Sequence, residues 1–176
     1  MMKNSEFRIA VAIIALITVF GLLWGGFTLY KKLRVEEPLT KGLREIKAVS
    51  SVSVTKDKVY VIEVKLDKVE DIQSVYQSLI KAIEGTLKEN EYELVILDNE
   101  NKVLKDLYKE LQPVIYEGLA NNGFVWLDET LAKTVKGDVI IYDLFVDEEN
   151  LYIQLFNGDY YMYKILPRPS AITANL

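Results

Sequence analysis

The side chains available for chemistry are carboxylates, hydroxyls and lysines, because none of the 176 residues is a histidine or a cysteine. Without histidine the chain lacks the usual general base and the commonest transition-metal ligand. Without cysteine it can form no disulfide, no thiolate nucleophile and no cysteine zinc site. Neither a Ser-His-Asp nor a Cys-His mechanism can be built from this chain alone. The acidic turn Asp147-Glu148-Glu149-Asn150, with Asp143 just before it, could gather oxygen ligands for calcium. It lacks the EF-hand spacing and its glycine, so it reads as a solvated hairpin turn. Asp98-Asn99-Glu100-Asn101 reads as a helix start, where short polar side chains cap free N–H groups. A Ser–Lys dyad from Ser74 or Ser78 with Lys81 would lie on the polar side of an amphipathic helix, with no S-x-x-K spacing. Paired carboxylates could run acid–base hydrolysis as in glycosidases. With 25 acidic residues after residue 30, however, coincidental pairs are unavoidable. Gly118, Gly123 and Gly137 form no phosphate loop. The sequence therefore predicts no catalytic residue, no cofactor and no metal site, and a chain that is not an enzyme.

What must position any site begins with an uncharged apolar run from Ile9 to Tyr30. As a helix its 22 residues would span roughly 33 Å, enough for a hydrocarbon core about 30 Å thick. The run is longer than a secretory signal core, so it reads as a retained single-pass anchor over residues 9–30, after a short tail over 1–8. Trp24, Tyr30 and Lys31-Lys32 fit an interfacial belt. Thr18, Gly21, Gly25 and Thr28 share one side at helical spacing, a candidate dimer face because small residues allow close helix approach. The commoner explanation is that glycine is frequent in such helices. Lys and Arg counts at the two ends lean the domain slightly toward the cytoplasm, whereas a short basic N-tail pulls the other way.

Beyond the anchor, 19 basic and 25 acidic residues leave a net charge of −6, which repels phosphate backbones and argues against nucleic-acid partners. Residues 31–50 form a connector in which Pro38 breaks the anchor helix and Leu39, Leu43 and Ile46 suit a short amphipathic helix. Residues 51–169 read as one soluble α+β domain and 170–176 as a disordered tail. Val52–Leu66 alternates as a hairpin around a three-residue loop, Lys56-Asp57-Lys58. Asp67–Leu87 reads as a helix capped by Asp67, with an apolar stripe through Val69, Ile72, Val75, Tyr76, Leu79, Ile83 and Leu87. Tyr92–Leu97 follows as a strand and Asn101–Leu119 as a helix kinked at Pro113. A shorter helix covers Asp128–Lys136, and Val139–Val146 reads as a central strand. Leu151–Phe156 and Asp159–Leu166 flank a two-residue turn, Asn157-Gly158. The expected fold is α+β: an N-terminal transmembrane helix, then a largely antiparallel sheet with helices packed on one face.

That last hairpin carries the most suggestive surface. The turn pairs Phe156 with Asp159, Gln154 with Tyr161 and Tyr152 with Tyr163. Leu151, Ile153, Leu155, Tyr160 and Met162 then take the core face, leaving Tyr152, Phe156, Tyr161 and Tyr163 on the other. Exposed tyrosines are enriched in protein interfaces. Covering by another helix, or simple cross-strand stabilisation, is the competing explanation.

In layout, and in the Val49–Leu66 hairpin and the closing segment LYIQLFNGDYYMYKILPR, the chain resembles a group of uncharacterised single-pass membrane proteins of Gram-positive bacteria. The resemblance brings no catalytic motif with it. Residues 52–97 are also similar in outline to ring-building modules of sporulation and secretion complexes. The expected function is a membrane-tethered interaction or scaffold module with lipid and protein partners, and a homodimer is one candidate state. The alternatives are a tethered sensor with a ligand pocket near Pro113 and a carboxylate-based hydrolase.

Overall fold

The computed structural model describes residues 11–22, 32–135 and 139–169. Among the described residues, six strands form two three-stranded sheets rather than one. Strands β1 (Val49–Lys56), β2 (Tyr60–Leu66) and β3 (Tyr92–Leu97) lie in the order β1-β2-β3. Strands β4 (Ile141–Val146), β5 (Asn150–Asn157) and β6 (Tyr160–Pro167) lie in the order β4-β5-β6. The helices are α1 (Glu37–Arg44), α2 (Ile72–Glu84), α3 (Lys102–Ala120) and α4 (Phe124–Thr134). β2 pairs parallel to β3 because helix α2 carries the chain back between them; the other three ladders are antiparallel.

The β4-β5-β6 sheet is covered on both faces, which overturns the expectation of helices on a single face. Leu151, Ile153, Leu155 and Met162 pack with Leu104, Leu111 and Ile115 of α3 and Leu127 and Leu131 of α4. Tyr152, Phe156, Tyr161 and Tyr163 pack with Ile62, Val64 and Leu66 of β2 and Ile72, Leu79 and Ile83 of α2. Leu39 and Leu43 of α1 enter this same core, so part of the connector belongs to the domain. Lys32–Glu36 winds as a wide helical turn straight into α1, and Pro38 sits in the first turn of α1. Proline there removes an N–H that has no helical partner anyway, so it does not break the path.

Several boundaries move for local reasons. Helix α2 starts at Ile72, not after Asp67, because the Asp71 side chain accepts the Ser74 N–H at 3.0 Å and caps the helix. Asn101 caps α3 in the same way through the Leu104 N–H, and α3 runs through Pro113 to Ala120. Leu111 and Ile115 are buried against the sheet on the stretch near Pro113 where the alternative sensor reading would place a ligand pocket. Asn122 adopts φ +50, and the bonds Gly123 N–H to Gly118 C=O and Asn122 N–H to Leu119 C=O end α3. Helix α4 then begins at Phe124, four residues before the expected start, while Gly137 lies outside the described residues. The first hairpin keeps a three-residue loop displaced by one residue, with Lys56 opposite Tyr60, and Val52 and Val54 share one face with Ile62 and Val64 as expected. In the last hairpin the loop is Gly158-Asp159, with Asn157 opposite Tyr160 and Phe156 opposite Tyr161. Gly158 takes φ +62, the positive value that a turn with glycine first requires. β4 is an edge strand, not a central one, because β5 alone pairs on both sides.

Residues 11–22 are helical, and among the described residues no helix is long and apolar enough to cross a membrane. Thr18 donates to the Ile14 carbonyl at 2.8 Å, and Gly21 has open space around it. Gly25 and Thr28, like the tails 1–8 and 170–176, lie outside the described residues.

Gly118 sets the α3–α4 approach, since a Cβ there would sit 2.9 Å from the Leu127 Cβ. Gly118→Ala should destabilise the fold by about 1–3 kcal/mol through overpacking. Gly42→Ala, in open space within α1, should be neutral or stabilising by up to about 1 kcal/mol. Paired chemical denaturation curves check both.

Candidate functional site

The tyrosines singled out from the sequence are brought together, but inside the molecule. Tyr152 is 1% exposed, and Phe156, Tyr161 and Tyr163 are also buried, so this face is not an outer interaction surface. The expectation fails because the face covers the β2–α2 connection, whose backbone has no ladder of its own to satisfy it. The Tyr161 hydroxyl donates to the Leu66 carbonyl at 2.8 Å. The Tyr163 hydroxyl donates to the Asp67 carbonyl at 3.2 Å and accepts the Val69 N–H at 2.8 Å. Gln154, at 0% exposure, accepts the Ile72 N–H at 3.1 Å and donates to the Glu70 carbonyl at 2.9 Å and to Asp143 at 2.8 Å. Gln154 thus serves a free N–H in the first turn of α2 from 82 residues away. Period-two alternation placed Gln154 on this face, but nothing in the sequence marked it as a joint.

β6 closes on the end of β3 in the same region. The Tyr161 N–H donates to the Asn99 carbonyl at 3.1 Å, and the Tyr163 N–H donates to the Asp98 carboxylate at 3.0 Å. Burial pushes the Asp98 carboxyl up, against the pull of that N–H and of Lys164 at 3.9 Å. Asn101 therefore does the capping expected of a helix start, whereas Asp98 accepts an N–H of β6 instead.

The acidic turn is likewise occupied. Asp147 accepts the N–H groups of Glu149 and Asn150 at 2.9 and 2.7 Å, the Tyr152 hydroxyl at 2.7 Å and Gln77 at 3.1 Å. Burial raises its pKa, but these four donors outweigh burial and hold the carboxyl below its ordinary range. Arg168 reaches the Asp147 carbonyl and also Asn122 at 3.1 Å, tying this turn to the end of α3. Among the described residues no group of acidic side chains is arranged to hold a metal ion, and no Asp or Glu is buried. Ser74 and Ser78 spend their hydroxyls on Asp71 and on the Ser74 carbonyl.

What this turn does build is one wall of an open cleft of about 620 Å³. α2 supplies the other wall through Tyr76, Gln77, Ile80, Lys81 and Glu84; the turn supplies Asp147, Glu148 and Glu149, with Tyr152 at the base. Tyr76 stacks edge-on against Tyr152 at 5.7 Å. Burial pushes the Tyr76 hydroxyl up, with Glu149, Asp147 and Glu84 adding to the effect. The cleft therefore carries negative potential over an aromatic floor, a chemistry that suits a cationic, partly apolar segment.

Gln154→Ala leaves the Ile72 N–H and the Glu70 carbonyl without their partner and should cost about 1–3 kcal/mol or more. Tyr160→Ala, at an exposed position of the same hairpin, should cost about 0.5 kcal/mol or less. Urea denaturation of the two variants measures the contrast. Burial pushes the Tyr163 hydroxyl up to about 12 and raises those of Tyr152 and Tyr161 as well. A raised tyrosine contributes stability that is complete below the ordinary value of 10.0 and is lost as pH climbs toward about 12. Thermal unfolding between pH 9 and pH 12 should show that alkaline fall, weakened in Tyr163→Phe. No family model, curated protein or solved structure matches this chain.

Proposed function

We propose that the chain is a membrane-tethered, non-catalytic protein-interaction module, with its anchor in residues 9–30 and the acidic cleft as its partner site. The observation that carries the tether is the helix over residues 11–22. Ile13, Ile14, Leu16, Ile17, Phe20 and Leu22 leave it on all sides, and every one is exposed. A helix apolar all round requires an apolar surround, and lipid supplies one. Every other helix of the domain buries an apolar stripe. The charge of the domain, −6 after residue 30, keeps it in water and away from anionic surfaces. The slight Lys/Arg excess on the C-terminal flank supports a cytoplasmic domain.

Membrane vesicles from cells expressing the full chain test this reading. The protein should stay in the pellet after alkaline carbonate extraction; release into the supernatant overturns the tether. An impermeant thiol reagent applied to intact cells should label Ser5→Cys and not Lys58→Cys, which sits in an exposed loop, and the reverse pattern puts the domain outside. In the same vesicles an oligolysine peptide should bind in a salt-sensitive manner and be lost on Glu84→Lys with Glu149→Lys. Unchanged binding removes the cleft from the proposal.

A further inference from the structure

β4 is the unprotected edge of the second sheet. The other edge of that sheet, β6, is closed where Tyr161 and Tyr163 donate to Asn99 and Asp98. In the first sheet, β1 carries an irregular register at Val49/Ser51 and ends in Lys56, devices that discourage strand addition. β4, Ile141-Tyr142-Asp143-Leu144-Phe145-Val146, has no lysine, no proline and an unbroken register, and its end residues Ile141 and Val146 are 61% and 41% exposed. Its one charge, Asp143, is turned in toward Gln154.

The direction of the free backbone groups follows from the turn. The Asp147 N–H donates to the Asn150 carbonyl at 3.0 Å, so residue 147 faces β5. Alternation along an antiparallel strand then turns Ile141, Asp143 and Phe145 toward β5. The N–H and C=O groups of Tyr142, Leu144 and Val146 point outward, where no described residue pairs with them.

The geometry points to a second copy of this chain as the occupant of that edge, paired antiparallel through β4 about a two-fold axis at Leu144 to make one six-stranded sheet. Charge selects the register. A two-fold at Asp143 sets the two Asp143 side chains opposite each other, and one at Phe145 sets Asp143 opposite the partner's Asp147. Like charges directly opposite are destabilising. The two-fold at Leu144 instead sets Asp143 opposite the partner's Phe145 and Tyr142 opposite the partner's Val146. It also engages all the outward groups of Tyr142, Leu144 and Val146 at once. This inference rests on reading the chain as an interaction module and names one partner for it; tethering both copies in one membrane would raise their effective concentration.

The test uses the full chain in detergent, with Tyr142→Cys and Val146→Cys as separate proteins; no native cysteine competes. In the Leu144 register the two positions face each other as a hydrogen-bonded pair about 5.5 Å apart, within disulfide range. Two copies of the same variant hold their cysteines four residues out of step, roughly 13 Å apart. Mild oxidation of the mixture should therefore cross-link at least about tenfold faster than either variant alone. Equal rates, or no cross-link from variants whose circular dichroism matches wild type, overturn the register. Val146→Pro removes an outward N–H and leaves the bonds to β5 intact. Wild type should sediment as a dimer and Val146→Pro as a monomer, and a monomeric wild type or a dimeric variant overturns the proposal. Cross-linking of Val146→Cys in cells to a different protein, and not to the Tyr142→Cys copy, also overturns self-pairing while leaving the interaction-module reading in place.

Discussion

The structure depends on satisfying the backbone of residues 66–72, the connection from β2 to α2. These residues leave one ladder before the next helix has formed, and the second sheet covers their inner side: Leu66 and Ile72 are buried and Val69 is half-buried. An unpaired buried N–H or C=O costs about 1–3 kcal/mol. The partners come from side chains far along the chain: Tyr161, Tyr163 and Gln154 supply four of the bonds that Leu66, Asp67, Val69 and Ile72 need. The two cores are thereby locked across one sheet, with tyrosine on one face and aliphatic side chains on the other.

This use of tyrosine decides what remains for partners. A ring that buries its body and spends its hydroxyl on a carbonyl is no longer free to make an interface, even though its composition suggests one. The surfaces left over include the cleft beside the Asp147 turn and the free edge of β4, and these two adjoin in sequence. The same turn both ends β4 and walls the cleft. Asp147 is committed to the turn but keeps its charge, so it adds to the negative potential that Glu84, Glu148 and Glu149 give the cleft.

Local patterns were legible wherever one interaction dominated. The Tyr92–Leu97 strand, the Asn101 cap and the valine face of the first hairpin follow from alternation and capping chemistry. Errors came where two local signals competed. Asp67 and Asp71 are both good caps, and Tyr163 and Gln154 bond the backbone of Asp67 and Glu70 outside the helix, which leaves Asp71 as the cap. Asn157-Gly158 and Gly158-Asp159 are both good turns, and Asn157 is drawn out of the loop by its bonds to Asn101 and Val139.

The sequence by itself determined the α+β class, the faces of the strands, the acidic character of the domain and the absence of histidine and cysteine chemistry. Each of these depends on residue type and on spacing within one element, which sequence records directly. Tertiary structure alone decided that there are two sheets, that β4 lies at an edge and that the tyrosine face points inward. Those outcomes turn on which distant backbone groups need partners, as Gln154 shows across 82 residues, and no local period encodes them.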